Sequence, residues 1–166
     1  MKLQKVLILL LALCLLRWDI GVASSEPAQP SSDDIVSFSS FLGNWEAVEG
    51  KTYTKWGEFL PLNASKSALK IISSGGDSVT IDLYVYYENA RKNAWQGRRG
   101  THKVEISALQ GALPKTIRWK ETKEMTVNGR KTADVLYRYT IEFKTLGTAS
   151  IRVFDGYSDS TATFKL

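Results

Sequence analysis

The stretch VTIDLYVYY, Val79 to Tyr87, puts Val79, Ile81, Leu83, Val85 and Tyr87 on one face of an extended chain and Thr80, Asp82, Tyr84 and Tyr86 on the other. Period two is the geometry of a strand, and one apolar face against one mixed face marks a strand half-buried in a sheet. The same alternation returns at Ala133, Val135, Tyr137, Tyr139, Ile141 and Phe143, with Arg138, Thr140, Glu142 and Lys144 between them. Shorter runs at Trp45 to Glu49, Ala68 to Ser73, Lys103 to Leu109, Thr116 to Met125, Thr148 to Phe154 and Ser160 to Leu166 raise the expectation to about eight strands.

The segments between these runs are short and rich in turn formers: SSGGD at Ser73 to Asp77, VNGR at Val127 to Arg130, Leu146 with Gly147, and DGYSD at Asp155 to Asp159. Asn128 and Gly129 suit a type I′ hairpin, whose two central positions need positive φ. Strands joined in succession by such turns form a meander, and closure hides its edges. The fold expected is therefore all-β, an antiparallel meander closing into a small eight-stranded barrel, with a β sandwich as the alternative. No stretch reads as a long amphipathic helix. Glu58 to Lys70, interrupted by Pro61, has room for a helical turn or a lid.

Upstream of the strands, Met1, Lys2 and Lys5 form a positive end ahead of the apolar run VLILLLALCLL, Val6 to Leu16. A spanning helix needs about 20 apolar residues, and Arg17 and Asp19 cut this run short before the small residues Gly21, Val22 and Ala23. That is a signal-peptide pattern, with cleavage expected after Ala23 and a secreted or periplasmic destination. Lipidation at Cys14 would call for small residues just before the cysteine, whereas Ala12 and Leu13 precede it. Residues 24–40 are rich in serine, with Pro27 and Pro30, and read as a flexible leader. Residues 41–166 then form a single domain.

Removing residues 1–23 takes Lys2, Lys5 and Arg17 against Asp19, leaving 19 basic and 16 acidic residues and a net charge of +3. So small an excess argues against specific nucleic-acid binding. Cys14 is the sole cysteine and leaves with the signal, so core burial, without a disulfide, must hold the domain together.

At the first strand, FLGNWE, Phe41 to Glu46, resembles the Gly-x-Trp opening of the lipocalins and their calycin relatives. The resemblance implies a barrel closed at one end by Trp45, with Gly43 at the strand start and a late-strand arginine, Arg152, over the indole. The second lipocalin motif is not found. Without the resemblance, Gly43 and Trp45 read as a turn glycine and a buried aromatic opening a strand of any β domain. An eight-stranded barrel has an interior wide enough for packed side chains or one small ligand. Tyr84, Tyr86, Trp119, Tyr137 and Tyr139 are the candidates to line it, since each ring offers apolar area and a polar atom that can orient a guest; as plain core fillers they would do neither. The partner expected on this reading is a small apolar molecule, held for transport and not transformed.

A second feature is RKNAWQGRRGTHK, Arg91 to Lys103, where Arg91, Lys92, Arg98, Arg99 and Lys103 surround Trp95 with no acid among them. As a loop, this segment would hold an anionic macromolecule (a glycan, lipopolysaccharide, a membrane or lipid surface, or a host protein) through guanidinium forks and an indole platform, the alternative function to an apolar guest in the barrel. The bland reading is a solvated hairpin tip that keeps an edge soluble. Catalysis finds little support. His102 is the only histidine, no Gly-x-Ser-x-Gly pattern occurs, and no metal-ligand spacing or phosphate loop is present. Neither a catalytic residue, a metal nor a cofactor is assigned. Asn63, Ala64 and Ser65 form an N-glycosylation sequon.

Overall fold

The path of the chain follows from strands that are apolar on one face only. A computed structural model describes residues 36–127 and 130–166; the expected signal peptide, most of the leader and the Asn128–Gly129 turn lie outside the described residues. Strands β1 (Gly43–Thr54), β2 (Phe59–Pro61), β3 (Ala68–Ser73), β4 (Ser78–Asn89), β5 (Ala94–Glu105), β6 (Lys115–Val127), β7 (Arg130–Thr145), β8 (Thr148–Phe154) and β9 (Ser158–Lys165) are all antiparallel to their neighbours. The wall runs β5-β4-β3-β1-β9-β8-β7-β6, so the first and last strands pair in the middle and the meander wraps into a nearly closed eight-stranded barrel. Strand β2 is a short addition that pairs with Lys51 to Tyr53, beyond the stretch of β1 that β3 covers.

One end is plugged. A 3-10 turn at Phe38–Phe41 lies ahead of β1, and Trp45, buried to 2%, donates its Nε1–H to the Phe41 carbonyl at 3.0 Å. The Phe41 and Trp45 rings lie 4.8 and 5.6 Å from the Phe143 ring, with Phe164, Leu69, Ile71 and Leu109 in the same core. Gly43 adopts φ +143, and a Cβ there would meet Leu166 at 2.9 Å. Where β1 meets β9 the register slips between Ala47 and Glu49. Gly50 follows, and a Cβ on it would lie 2.3 Å from the Thr161 carbonyl, so this bulged crossing needs glycine.

Strands β5 and β6 are the two ends of the wall, and side chains join them. Thr101 N–H donates to Glu121 Oε1 at 2.9 Å, and the Arg99 carbonyl accepts from the Tyr139 hydroxyl at 2.7 Å and from Lys123 Nζ. A column of rings, His102 on Trp119 (5.1 Å) and Trp119 on Tyr139 (4.7 Å), crosses the same seam with planes within 10° of parallel. Two backbone groups of β5 that a further strand would have paired, the Thr101 amide and the Arg99 carbonyl, are thus met by side chains.

Two expectations are corrected here. The strand expected at Lys103 to Leu109 is β5, Ala94–Glu105, and Ile106–Leu109 is a 3-10 turn. Consequently Arg91 to Lys103 is mostly strand, paired along its length with β4, and only the tip at Ala90–Lys92 and Asn93 turns. The inward positions of β5 are Gln96, Arg98, Gly100 and His102, which hide the apolar alternation that marks the other strands. Glu58 to Lys70 holds β2 and a 3-10 turn at Ala64–Lys66, as its ambiguous pattern allowed.

Candidate functional site

Barrels offer two surfaces for recognition, the lumen and the outside, and the alternation along each strand decides which side chains serve which. In the lumen, the half away from Trp45 is polar. Tyr87 on β4 donates to the Thr161 carbonyl of β9 at 3.0 Å, and Gln96 on β5 donates to Ser158 Oγ of β9 at 3.2 Å. Arg98 on β5 reaches Asp155, just past β8, at 2.6 Å. Each bond joins strands separated by others in the wall order, so each crosses the interior. Thr52 ties the same layer together, bonded to Ser160 Oγ at 2.7 Å and donating to Gln96 at 3.3 Å.

The ion pair is a built feature. Arg98 and Asp155 side chains are 12% and 4% exposed; Asp155 also accepts from the amides of Tyr157 and Ser158 at 2.9 and 2.7 Å and from Ser158 Oγ at 3.1 Å. Arg98 donates in addition to the Gly97 carbonyl and Ser158 Oγ, while its buried Nε has no partner. Burial pushes the Tyr87 and Tyr139 phenols above the ordinary tyrosine range. Gly100 lies against the Tyr139 ring so closely that a Cβ would sit 2.7 Å from it. Side chains therefore occupy the lumen from the Trp45 plug to the Gln96 layer. Concavities of about 590 and 450 Å³ both lie on the outer wall, the first beside Lys51, Glu142 and Arg152, the second beside Asn44, Lys70, Asp82, Tyr84 and Arg99.

The candidate lining residues divide by strand parity. Trp119, Tyr137 and Tyr139 face inward and stack, with Tyr137 6.2 Å from Tyr139 and under Arg98 at 5.5 Å. Tyr84 and Tyr86 instead face out, as the period-two pattern of β4 requires. Arg152 also faces out and pairs bidentately with Asp159 at 2.5 and 2.8 Å; Phe143, and among the described residues no arginine, packs on Trp45. Of the basic segment, Trp95, Arg99 and Lys103 point outward from β5, Arg91 and Lys92 sit at the tip, and Arg98 turns inward, unavailable to an anionic partner. Arg99 pairs with Asp82 at 3.1 Å.

Outside, the aromatic residues gather. Trp95, 66% exposed, stacks on Tyr86 at 6.0 Å and 14°, with Tyr84 beside it; Tyr84 lies across Gly97, where a Cβ would come 3.1 Å from its hydroxyl. Trp56, 71% exposed in the β1–β2 turn, stacks on Tyr157 of the β8–β9 turn at 6.3 Å and 12°. A backbone bond from Lys55 N–H to the Tyr157 carbonyl, 2.7 Å, clips the two turns together. Tyr53 and Phe59 form a third pair at 5.4 Å. Each pair carries a lysine: Lys66 over Tyr86 (4.8 Å), Lys55 over Trp56 and Tyr157 (4.9 and 4.3 Å), Lys51 over Tyr53 (5.4 Å). All three stand at the end of the barrel opposite the Trp45 plug.

Comparison with protein-family models, curated proteins and solved structures finds no match. The rim must be read from its own chemistry. Sequence reasoning found Trp95 and missed Trp56, Tyr157, Tyr53, Phe59 and their lysines. A tryptophan between Lys55 and Gly57 in a turn was the available signal; its pairing with Tyr157 depends on a contact about a hundred residues away in the chain. Asn63 of the sequon caps its 3-10 turn, and its Nδ2 donates to Glu88 at 2.9 Å. That bond, with Lys66 beside it, holds the Glu88 carboxyl below its ordinary range. Among the described residues no three His, Cys, Asp or Glu side chains converge as metal ligands.

Proposed function

We propose that this is an exported, non-catalytic binding protein whose barrel is a filled scaffold and whose recognition surface is the aromatic and cationic rim opposite the Trp45 plug. One observation carries the reading. Among the described residues, the exposed aromatic side chains Tyr53, Trp56, Phe59, Trp95 and Tyr157 stand at one end, where half-buried Tyr86 completes three pairs each accompanied by a lysine and Tyr84 lies just below, while the other end exposes only the aliphatics Ile72, Leu146 and Leu166. Exposed clusters of large apolar side chains are uncommon on surfaces with no partner, and Trp and Tyr are among the residues that carry binding energy. The lysines make the partner anionic. Kinship with lipocalins remains part of this proposal, supported by the meander and by Trp45 at the closed end.

An apolar guest in the lumen finds less support. It would have to displace the Tyr87, Gln96 and Arg98 bonds that cross the barrel, and each broken bond would leave a buried polar group without a partner.

The test uses the exported chain purified from its own source. Native mass spectrometry with organic extraction is expected to find the bare polypeptide, and a heparin column to retain it in a salt-dependent way that Trp56→Ala with Trp95→Ala weakens. A stoichiometric extracted molecule, or unchanged retention of the double variant, would overturn the proposal.

A further inference from the structure

The rim reading leaves the anionic partner open between a glycan and a lipid surface, and the geometry points to lipid: we infer that the barrel docks end-on to an anionic membrane surface, inserting the edges of Trp56, Trp95 and Tyr157 among the headgroups. This rests on the proposed function.

Three observations favour lipid over a sugar chain. First, the rings sit on three separate connections around the end of the barrel, the β1–β2 turn, the start of β5 and the β8–β9 turn, so they form an arc and not a furrow. The outer-wall concavities, which a linear glycan would need, run along the wall and not between the rings: that of about 450 Å³ lies between β1, β3, β4 and β5, and that of about 590 Å³, between β1, β7, β8 and β9, meets the arc only at Lys51. Second, a pyranose stacks on an open ring face, whereas ammonium groups cover a face of Trp56, Tyr157, Tyr86 and Tyr53. Trp and Tyr with neighbouring lysines match the belt that proteins place at a bilayer's headgroup level. Third, the charge of this arc is lopsided. Lys51, Lys55, Lys66, Arg91 and Lys92 stand against Glu58 and Glu88, and Glu88 is already held by Lys66 and Asn63. Across the end, Arg130 and Lys131 stand against Glu124 and Asp134, with Lys131 pairing to both at 3.3 and 2.9 Å, so that sector is neutral. The arc is thus the positive sector, and it is the sector that carries the rings.

The wall below the arc forbids deeper entry. Glu142, Arg152, Asp82 and Arg99 face outward at mid-height, where a spanning barrel would carry an apolar band. The molecule would lie on a membrane and not across it.

The experiment mixes the exported chain with phosphatidylcholine vesicles, with and without phosphatidylglycerol, and reads co-sedimentation and tryptophan emission. Trp18 leaves with the expected signal peptide and Trp45 and Trp119 are buried, so a blue shift of the cleaved chain reports Trp56 and Trp95. Expected are salt-sensitive binding to the anionic vesicles and a blue shift. Trp56→Ala with Trp95→Ala should weaken partition by more than about tenfold. Lys55→Gln and Lys92→Gln should each weaken it by about fivefold, and Leu146→Ala at the plugged end should leave it unchanged. All these side chains are exposed, and far-UV circular dichroism checks that the variants fold. Absence of vesicle binding together with rim-dependent retention on heparin would overturn the membrane inference and keep the rim as the site. Absence of both would overturn the inference and the proposed function alike, as would binding that the rim variants leave intact.

Discussion

The Arg98–Asp155 pair lends itself to a quantitative test of whether the lumen is filled and dry. Asp155→Asn keeps the size of the side chain and an oxygen for the Tyr157 and Ser158 amides, but turns an amide N–H₂ toward the guanidinium. Arg98 then keeps only the Gly97 carbonyl and Ser158 Oγ, with Nε already unpartnered, so a charge is left buried without its counter-ion. Breaking a buried pair in this way costs about 3–5 kcal/mol. Arg98→Met should cost less, about 2–3 kcal/mol, because the Asp155 carboxylate keeps its donors from Tyr157 and Ser158. The double variant should then be no worse than Asp155→Asn alone, giving a coupling of about 2–3 kcal/mol. Urea unfolding followed by far-UV circular dichroism, with all four proteins sharing one slope, measures each term. In a water-filled lumen the pair would resemble a surface ion pair worth under about 1 kcal/mol. A flat cycle, or a larger cost for Arg98→Met than for Asp155→Asn, would refute the packing described.

Three further outcomes follow from the same interior. Gly100→Ala pushes a methyl into the Tyr139 ring, which its bond to the Arg99 carbonyl holds in place, and should destabilise by about 1–3 kcal/mol by the same assay. Trp45→Ala should cost roughly 3–5 kcal/mol, and Trp45→Phe, which retains most of the apolar area and loses the bond to Phe41, clearly less. Burial raises the Glu121 pKa, but its bonds from Lys123, Trp119 and Thr101 outweigh this and leave it below the ordinary range. A depressed folded pKa stabilises above the unfolded value and is lost as pH falls through the folded one. Glu121→Gln should therefore be less stable than wild type at neutral pH, by about 1 kcal/mol for a partly exposed group at the seam, with the gap closing in acid; a gap constant with pH would refute the role.

Strands were legible where their inward faces are apolar. Val79 to Tyr87 and Ala133 to Phe143 lie within β4 and β7, and Ala68–Ser73 and Thr148–Phe154 match β3 and β8. Strand β5 was not legible, because the signal used was hydrophobic alternation and β5 turns polar or small residues into the lumen. The error propagated: a segment read as a loop made Arg98 seem exposed, when strand parity buries it opposite Asp155. Tyr84 and Tyr86 carried the opposite lesson, since their own alternation with Leu83 and Val85 already placed them outside. The Trp56–Tyr157 pair was beyond local reasoning, depending on β1 and β9 lying side by side.

Why the rings should be on the outside follows from what the interior has already spent them on. His102, Trp119, Tyr139 and Tyr137 form a continuous stack that holds the β5–β6 seam shut, and Trp45 with Phe41, Phe143 and Phe164 seals the far end. These residues have a structural role that the packing explains in full. The two rim tryptophans are not spent this way: Trp56 and Trp95 stay largely exposed, and the lysines beside them keep charge at the surface and not in a core. Left in water, such a cluster favours self-association, and replacing it with polar residues would cost the fold little. Rim variants should accordingly keep wild-type stability while losing attachment to anionic surfaces; a rim substitution that instead lowered the urea midpoint as far as Gly100→Ala would return these aromatics to the scaffold and remove the argument for a binding surface.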